Sequence, residues 1–240
     1  MKLSIIVPTL NEEKVLETTL RQIRDNLTEI EYELIVTDDG SRDRTHEIAK
    51  RHGRLTLDPS QKKTIATNRN NGAREAKGEF LAFVDADMFI PEPNRFFKTL
   101  LGDFAADPGL LAATVKIGVL PAAATPWDVL IMGVANFAQW FMNNAIRSGS
   151  ASGEFQMIRR EAFEAAHGYR QDLPMAEDTE LFFRLSKTGR TMIDMRLVAY
   201  NTGRRPHAVG WPKLLWEWVV NFFSVRVFKR SYSKEWNRVG

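Results

Sequence analysis

Acidic pairs sit mid-chain at Asp38-Asp39, Asp85-Ala86-Asp87 and Glu177-Asp178. In Asp85-Ala86-Asp87 the two acids follow an apolar run. Alternate residues of an extended segment point the same way, so both carboxylates can approach one ion. Hard divalent cations such as Mg²⁺ or Mn²⁺ take oxygen ligands and commonly share them with substrate phosphates. Asp-X-Asp alone also describes a solvated turn; its place at the end of a buried strand favours the metal. In Asp38-Asp39-Gly40-Ser41, Asp39 is suited to accept hydrogen bonds from a ribose hydroxyl or a base N–H. The same residues equally suit a cap and turn. Glu177-Asp178 begins a helical segment, whose N-terminus lowers a carboxylate pKa while nearby acids or desolvation raise it. Ordinary helix-end charge is the plainer account of that pair. Arg204-Arg205-Pro206-His207 is basic and Pro-bounded and reads as a loop. Arginine suits bidentate phosphate contacts and a neutral histidine ring can ligate metal; a solvated basic loop has the same composition. His46, His52 and His167 lack such company and read as surface or helix residues.

These residues need a scaffold, and the first hundred residues alternate strand and helix signals. Segments 3–7, 32–37, 54–57 and 80–84 read as strands. Between them, Asn11 is a plausible N-cap for a helix carrying Val15, Leu16, Leu20, Ile23 and Leu27. Further helices are predicted over 42–51 and 64–76. This alternation implies βαβ units, hence an α/β fold with a central, mostly parallel sheet flanked by helices. Ligands of such sheets bind beyond the carboxyl ends of the strands. The topology therefore gathers Pro8-Thr9-Leu10-Asn11-Glu12, Asp38-Asp39 and Asp85-Ala86-Asp87 on one edge. The second half is less regular. Strands are predicted at 110–119, 153–158, 191–194 and 197–200, and helices at 127–146, 160–166, 176–187 and 211–229.

Composition narrows the class. A 240-residue chain with 44% hydrophobic residues suits one α/β domain with a real core. The absence of cysteine excludes disulfides and thiolate metal sites, and fits a reducing cytoplasm. The apolar run after Met1-Lys2 is too short for a signal peptide. A net charge of +3 is too weak to imply nucleic acid, although basic residues collect from Arg204 to Arg238.

Taken together the motifs resemble the family 2 glycosyltransferases of GT-A fold, over roughly residues 3–208. The opening Ser4-Ile5-Ile6-Val7-Pro8-Thr9-Leu10-Asn11-Glu12 is similar to the family's first strand and nucleotide loop. Thr37-Asp38-Asp39-Gly40-Ser41 is similar to its second motif. Thr67-Asn68-Arg69-Asn70-Asn71-Gly72 leads towards the metal motif Asp85-Ala86-Asp87. Gly153-Glu154-Phe155 and Gly168-Tyr169 resemble the acceptor side, and Ala176-Glu177-Asp178 the helix bearing the base. Any one of these is weak; six in order are specific. The resemblance implies a donor that is a nucleotide-diphosphate sugar, lined by Pro8, Thr9 and Glu12, with Asp39 on base or ribose. It implies Arg69 near the nucleotide or diphosphate, Asp85 on ribose or metal-bound water, and Asp87 directly on Mn²⁺ or Mg²⁺. Asp178 is implied as catalytic base of an inverting transfer. Arg204, Arg205 and His207 resemble the basic segment over the diphosphate, with His207 a candidate third metal ligand. The domain expectation is one GT-A unit over 1–208, divided into a donor half (1–105) and an acceptor half (106–208). Residues 209–240 then form a C-terminal helix and tail.

Segment 211–230 is broadly apolar with three tryptophans and a narrow polar stripe of Lys213, Glu217, Asn221 and Ser224. A spanning helix needs about 20 mostly uncharged residues, so this one is expected to lie in a membrane interface. Packing on its own domain or in a homodimer is the alternative. With the aromatic segment 127–141, it makes a lipid-linked acceptor attractive beside a glycan, and places the protein in the cytoplasm or at the inner membrane face. Two other classes stay open. A nucleotidyltransferase is expected to carry a basic, Gly-rich loop near its start, where this chain has Pro8-Thr9-Leu10-Asn11-Glu12-Glu13. A non-catalytic nucleotide-sugar-binding module is free to lose Asp87 or Asp178, and both are present.

Overall fold

A computed structural model describes residues 1–57 and 64–233; the tail 234–240, with Arg238, lies outside the described residues. The elements in order are β1 (Leu3–Thr9), α1 (Leu16–Asn26), β2 (Tyr32–Asp38), α2 (Thr45–His52), β3 (Arg54–Leu57), α3 (Ile65–Glu75), β4 (Phe80–Val84) and α4 (Pro93–Ala106). Then follow β5 (Leu110–Val119), α5 (Pro126–Trp140), a π-helical turn (Phe141–Ala145), β6 (Phe155–Arg159), α6 (Arg160–Ala165), α7 (Glu177–Leu185), β7 (Arg190–Asn201), α8 (Arg204–Val209) and α9 (Trp211–Phe228). All seven strands form one sheet in the order β3-β2-β1-β4-β6-β5-β7. Among the described residues, β6 alone runs antiparallel to its neighbours, β4 and β5. The sheet is thus mostly parallel, as the alternation of signals predicts, and it is continuous across the boundary between the two sequence halves.

The continuous apolar runs β1 and β4 are buried along their whole length, because helices cover both faces. Leu3, Ile5 and Val7 point to one face, with Leu16, Leu20 and Ile23 of α1 and Phe96, Phe97, Leu100 and Phe104 of α4. Ile6 points to the other, with Ala66 and Ala73 of α3 and Leu181 and Phe182 of α7. Each fully buried Leu, Ile or Phe contributes about 1.5–3 kcal/mol. The approach of α3 to β1 is close: a Cβ on Gly72 would lie 2.4 Å from Ile6 Cγ2.

Several local expectations are corrected. Asn11 is not a cap. It takes a left-handed φ of 55°, its N–H donates to Ser41 Oγ and its Oδ1 accepts from Arg42 N–H at 2.9 Å. Those bonds tie the β1–α1 loop to the β2–α2 loop, so α1 starts only at Leu16. For the same reason α2 starts at Thr45, not at Arg42. Helix α4 had no counterpart in the sequence reading, although Pro93 at its start and the Phe96/Phe97/Leu100/Phe104 pattern mark it. The segments 191–194 and 197–200 are one strand with a register irregularity against β5. The expected loop Arg204-Arg205-Pro206-His207 is instead the short helix α8, flanked by Gly203 and Gly210 at φ 75° and 85°.

Helix α9 turns Leu214, Asn221 and Val225 inward and leaves Lys213 exposed. Asn221 is 1% exposed whereas Trp216 is 65% and Phe223 60% exposed. Glu217 faces Arg205, and Asn221 holds Ser233 and the backbone of Tyr232. Trp127, Val134 and Phe137 of α5 are also exposed. Among the described residues no helix is long and apolar enough to cross a membrane.

Candidate active site

The carboxyl ends of β1, β2 and β4 meet, as the topology requires. Thr9 closes β1, its hydroxyl donating to Thr37 O at 3.0 Å and Asp38 Oδ1 at 3.1 Å; Pro8 beside it is buried. Asn68 of α3 donates to the carbonyls of Thr9 and Thr37. Asp38 organises the following turn: it accepts from the N–H groups of Gly40 and Ser41, at 2.7 and 2.8 Å, and pairs with His46 Nε2 at 2.7 Å. Burial works against its charge, but the bonds from Ser41, His46 and Gly40 outweigh it and hold the pKa low. His46, read from sequence as an unengaged helix residue, therefore helps shape this turn. The backbone N–H of Asp39 donates to Thr9 O at 3.1 Å, which holds Asp39 at the sheet edge.

Asp85 and Asp87 follow β4 directly. Asp85 Oδ1 accepts from Arg69 Nη2 at 3.0 Å, and its N–H donates to Glu154 O at 3.0 Å. Asp87 Oδ2 accepts from Thr202 Oγ1 at 2.7 Å and from Arg204 Nε at 3.3 Å. Arg204 Nη2 lies 2.8 Å from Glu12 Oε2. Burial raises Glu12 to about 7, with Arg204 opposing and Asp87 and Asp85 adding. Burial likewise raises Asp85, against Arg69 and with Asp87, and Glu154, with Asp85 adding. These acids raise one another because Arg69 and Arg204 do not neutralise them all. The donor set is all oxygen and carries surplus negative charge, which fits Mg²⁺ or Mn²⁺. Among the described residues no three His, Asp or Glu side chains form a ready cage. A cation held by Asp85 and Asp87 would complete its shell with substrate phosphate or water.

His207 is engaged elsewhere. Its Nε2 meets Asp128 Oδ2 at 2.9 Å, and Trp211 Nε1 donates to Asp128 Oδ1 at 2.8 Å. Asp128 also closes a capping box with Thr125 at the start of α5. The expectation of His207 as a third metal ligand thus meets a ring already paired with a buried carboxylate. Asp128 was overlooked, although Thr125-Pro126-Trp127-Asp128 has the spacing of a capping box. Arg205 Nη2 lies 3.4 Å from Glu217 Oε2.

Arg69 is buried, and its guanidinium is directed inward rather than to the open edge. Nη1 donates to Glu177 Oε1 at 2.7 Å and Nη2 to Gly153 O at 2.7 Å, besides Asp85. Asp178 follows at the start of α7, its Oδ1 accepting from Thr179 N–H at 2.6 Å. Burial raises its pKa well above the usual carboxylate range; Glu177 adds and Arg69 opposes. Gly153 fits between: a Cβ there would lie 3.0 Å from Arg69 Nη2 and 3.3 Å from Asp178 Oδ2. Arg69 and Gly153 therefore bring the end of β4, the loop before β6 and the start of α7 together, while Arg204 joins Glu12 to Asp87.

The model of the family described as Glycosyl transferase family 2 matches residues 4–166. The chain belongs to glycosyl transferase family 2. Within that family it is 28% identical over 193 residues to the succinoglycan biosynthesis protein ExoA of Rhizobium meliloti (strain 1021), covering 77% of this chain and 58% of that one. It is 29% identical over 206 residues to the probable glycosyltransferase YdaM of Bacillus subtilis (strain 168), covering 78% and 47%. The mannosyltransferase PcManGT from Pyrobaculum calidifontis, solved with GDP-Man and Mn²⁺, shares the fold with a TM-score of 0.71 at 20% identity, over 95% of this chain and 64% of that chain. TarS 1-349 from S. aureus, solved with UDP-GlcNAc, gives a TM-score of 0.66 at 19% identity, over 98% and 68%. The fold is thus GT-A, and the chain spans less than two thirds of the length of ExoA, YdaM and PcManGT.

Proposed function

We propose that this family 2 chain transfers a sugar from a nucleotide-diphosphate sugar to an acceptor hydroxyl, with inversion at the anomeric carbon and with Mn²⁺ or Mg²⁺. The observation that supports the reading is the grouping of acids around two arginines: Arg69 holds Asp85 and Glu177 beside Asp178, and Arg204 joins Asp87 to Glu12. The complexes of PcManGT with GDP-Man and Mn²⁺ and of TarS with UDP-GlcNAc support this donor class.

Breaking the bond to the diphosphate puts negative charge on the leaving group. A divalent cation on Asp85 and Asp87 supplies the opposing charge when bound. Arg204, beside Asp87 and Glu12, is placed to share that task, with Arg205 next to it. The β1 and β2 ends, with Thr9 and Asp39, border the space for base and ribose. The acceptor hydroxyl is a poor nucleophile until a base takes its proton, which is typically worth about 10²–10⁴-fold. Asp178 takes it. One base and an in-line attack from the opposite side invert the centre.

The acceptor is proposed to be lipid-linked, met at a membrane surface through α9 and α5. Helix α9 turns Glu217 and Asn221 inward and exposes Trp216, Val219, Phe223 and Val227, so an apolar medium or partner suits its outer face. The deciding experiment for the donor is calorimetry with UDP-, GDP- and dTDP-sugars, with and without Mn²⁺. Tight, Mn²⁺-dependent binding of one of them is expected; no binding of any would overturn the reading.

A further inference from the structure

Arg69 and Glu177 are both buried, at 2% and 5% exposure, and 108 residues apart in sequence they make an ion pair of 2.7 Å. Burying an ion pair is costly unless geometry and further bonds compensate. Here they do. The same guanidinium reaches Asp85 Oδ1 at 3.0 Å and Gly153 O at 2.7 Å, and it lies 5.5 Å from the ring centroid of Tyr169. Tyr169 is in turn fixed by its hydroxyl on Gln156 Oε1 and its N–H on Asn70 Oδ1. Arg69 thus joins four pieces of chain: α3, the end of β4, the loop before β6 and the start of α7.

The start of α7 needs such a hold. Ala176 precedes it in the left-handed region at φ 62°, with no side-chain cap. A non-glycine residue there is strained and persists only where its surroundings impose it. Glu177 is the first helical residue and Asp178 the second, so whatever fixes Glu177 also fixes the direction of Asp178.

Resting on the function proposed above, we infer that Arg69 and Glu177 form a buried strut that sets the direction of Asp178 and ties the start of α7 to Asp85. Arg69 is then a positioning residue that does not touch the donor. Its charge is spent inside the protein, and its role is to hold the base at a set distance from the donor carboxylates. Lysine at 69 keeps the charge but cannot fork to Glu177, Asp85 and Gly153 together.

The test compares the full chain with Arg69→Lys and Glu177→Gln by two measurements. Amide hydrogen exchange is expected to lose protection locally at 176–180, with β1 and β4 unchanged. Unchanged protection at 176–180, or uniform loss across the sheet, overturns the strut. Affinity for UDP and GDP with Mn²⁺ is expected to stay within about threefold, while nucleoside diphosphate release from the matching sugar nucleotide falls about 10²-fold, the scale of an ångström-level misplacement. Equal loss of affinity and turnover overturns the inference by making Arg69 a donor contact, and unchanged turnover overturns it as well. A wild-type chain that releases no nucleotide from any donor overturns the proposed function instead, and the exchange pattern then still decides the strut.

Discussion

Arg204 faces Asp87, with Nε 3.3 Å from Oδ2, and the same guanidinium lies 2.8 Å from Glu12. The residues are 117 positions apart. A cation from the far end of the chain thus sits on the second carboxylate of Asp85-Ala86-Asp87, beside surplus acid.

Asp87→Ala removes a carboxylate proposed to hold the metal. Mn²⁺-dependent affinity for the nucleoside diphosphate should fall at least about 10²-fold, on the scale of losing a ligand or its support. The sheet should stay folded, because Asp87 lies outside the strand. Calorimetry reads this directly, and unchanged Mn²⁺-dependent affinity would remove Asp87 from the metal site.

Asp178→Asn keeps the shape and the bond from Thr179 N–H but cannot take a proton. Donor affinity should stay close to wild type while turnover falls about 10²–10⁴-fold. High residual turnover together with lost donor binding would make Asp178 a structural cap.

Glu12 gives a stability test with a defined sign. Burial raises its pKa from 4.5 to about 7, with Arg204 opposing. The folded state therefore holds a proton between those values that the unfolded state has lost. The contribution to stability is complete below about 4.5 and is lost as pH rises through about 7. Asp85, Glu154 and Asp178 are raised on folding too and act in the same direction. Melting temperature should fall between about pH 5 and about pH 8, and less steeply in Glu12→Gln. Equal slopes in the two proteins would mean that Glu12 is not held protonated.

The outward faces of α9 and α5 should bind anionic vesicles. Lys213, Lys229 and Arg230 lie near or at the ends of α9, where headgroup phosphates would meet them. Co-sedimentation should rise with anionic lipid and fall with salt, and Trp216→Ser with Phe223→Ser should abolish it without changing nucleotide affinity. Absence of binding, with a dimer that these substitutions dissociate, would make the surface a protein interface.

Much of this molecule was legible along the chain. Continuous apolar runs at Leu3–Thr9 and Phe80–Val84 mark buried strands, and alternation with helical periodicity leads to a mostly parallel sheet. From that sheet the meeting of Thr9, Asp38 and Asp85 at one edge follows, because parallel strands share a carboxyl end. The sequence by itself also marked Asp178 at a helix start and the family motifs in order. Only the tertiary structure decided where the charges went. Arg69 reads as a basic residue beside a nucleotide loop, but burial beside Glu177 and Asp85 directs it inward. His207 reads as a ligand, yet Asp128, 79 residues earlier, holds its ring. Helix α9 reads as an apolar arc with a polar stripe, and periodicity cannot tell which side faces protein. Arg205 and the chain around Tyr232 and Ser233 draw Glu217 and Asn221 inward, so that Trp211 and Trp218 pack against the core while Trp216 and Phe223 stay outside. Local sequence determines the period of a helix and the residue at a strand end. The partner of a buried charge and the face a helix turns outward depend on elements brought together from distant parts of the chain.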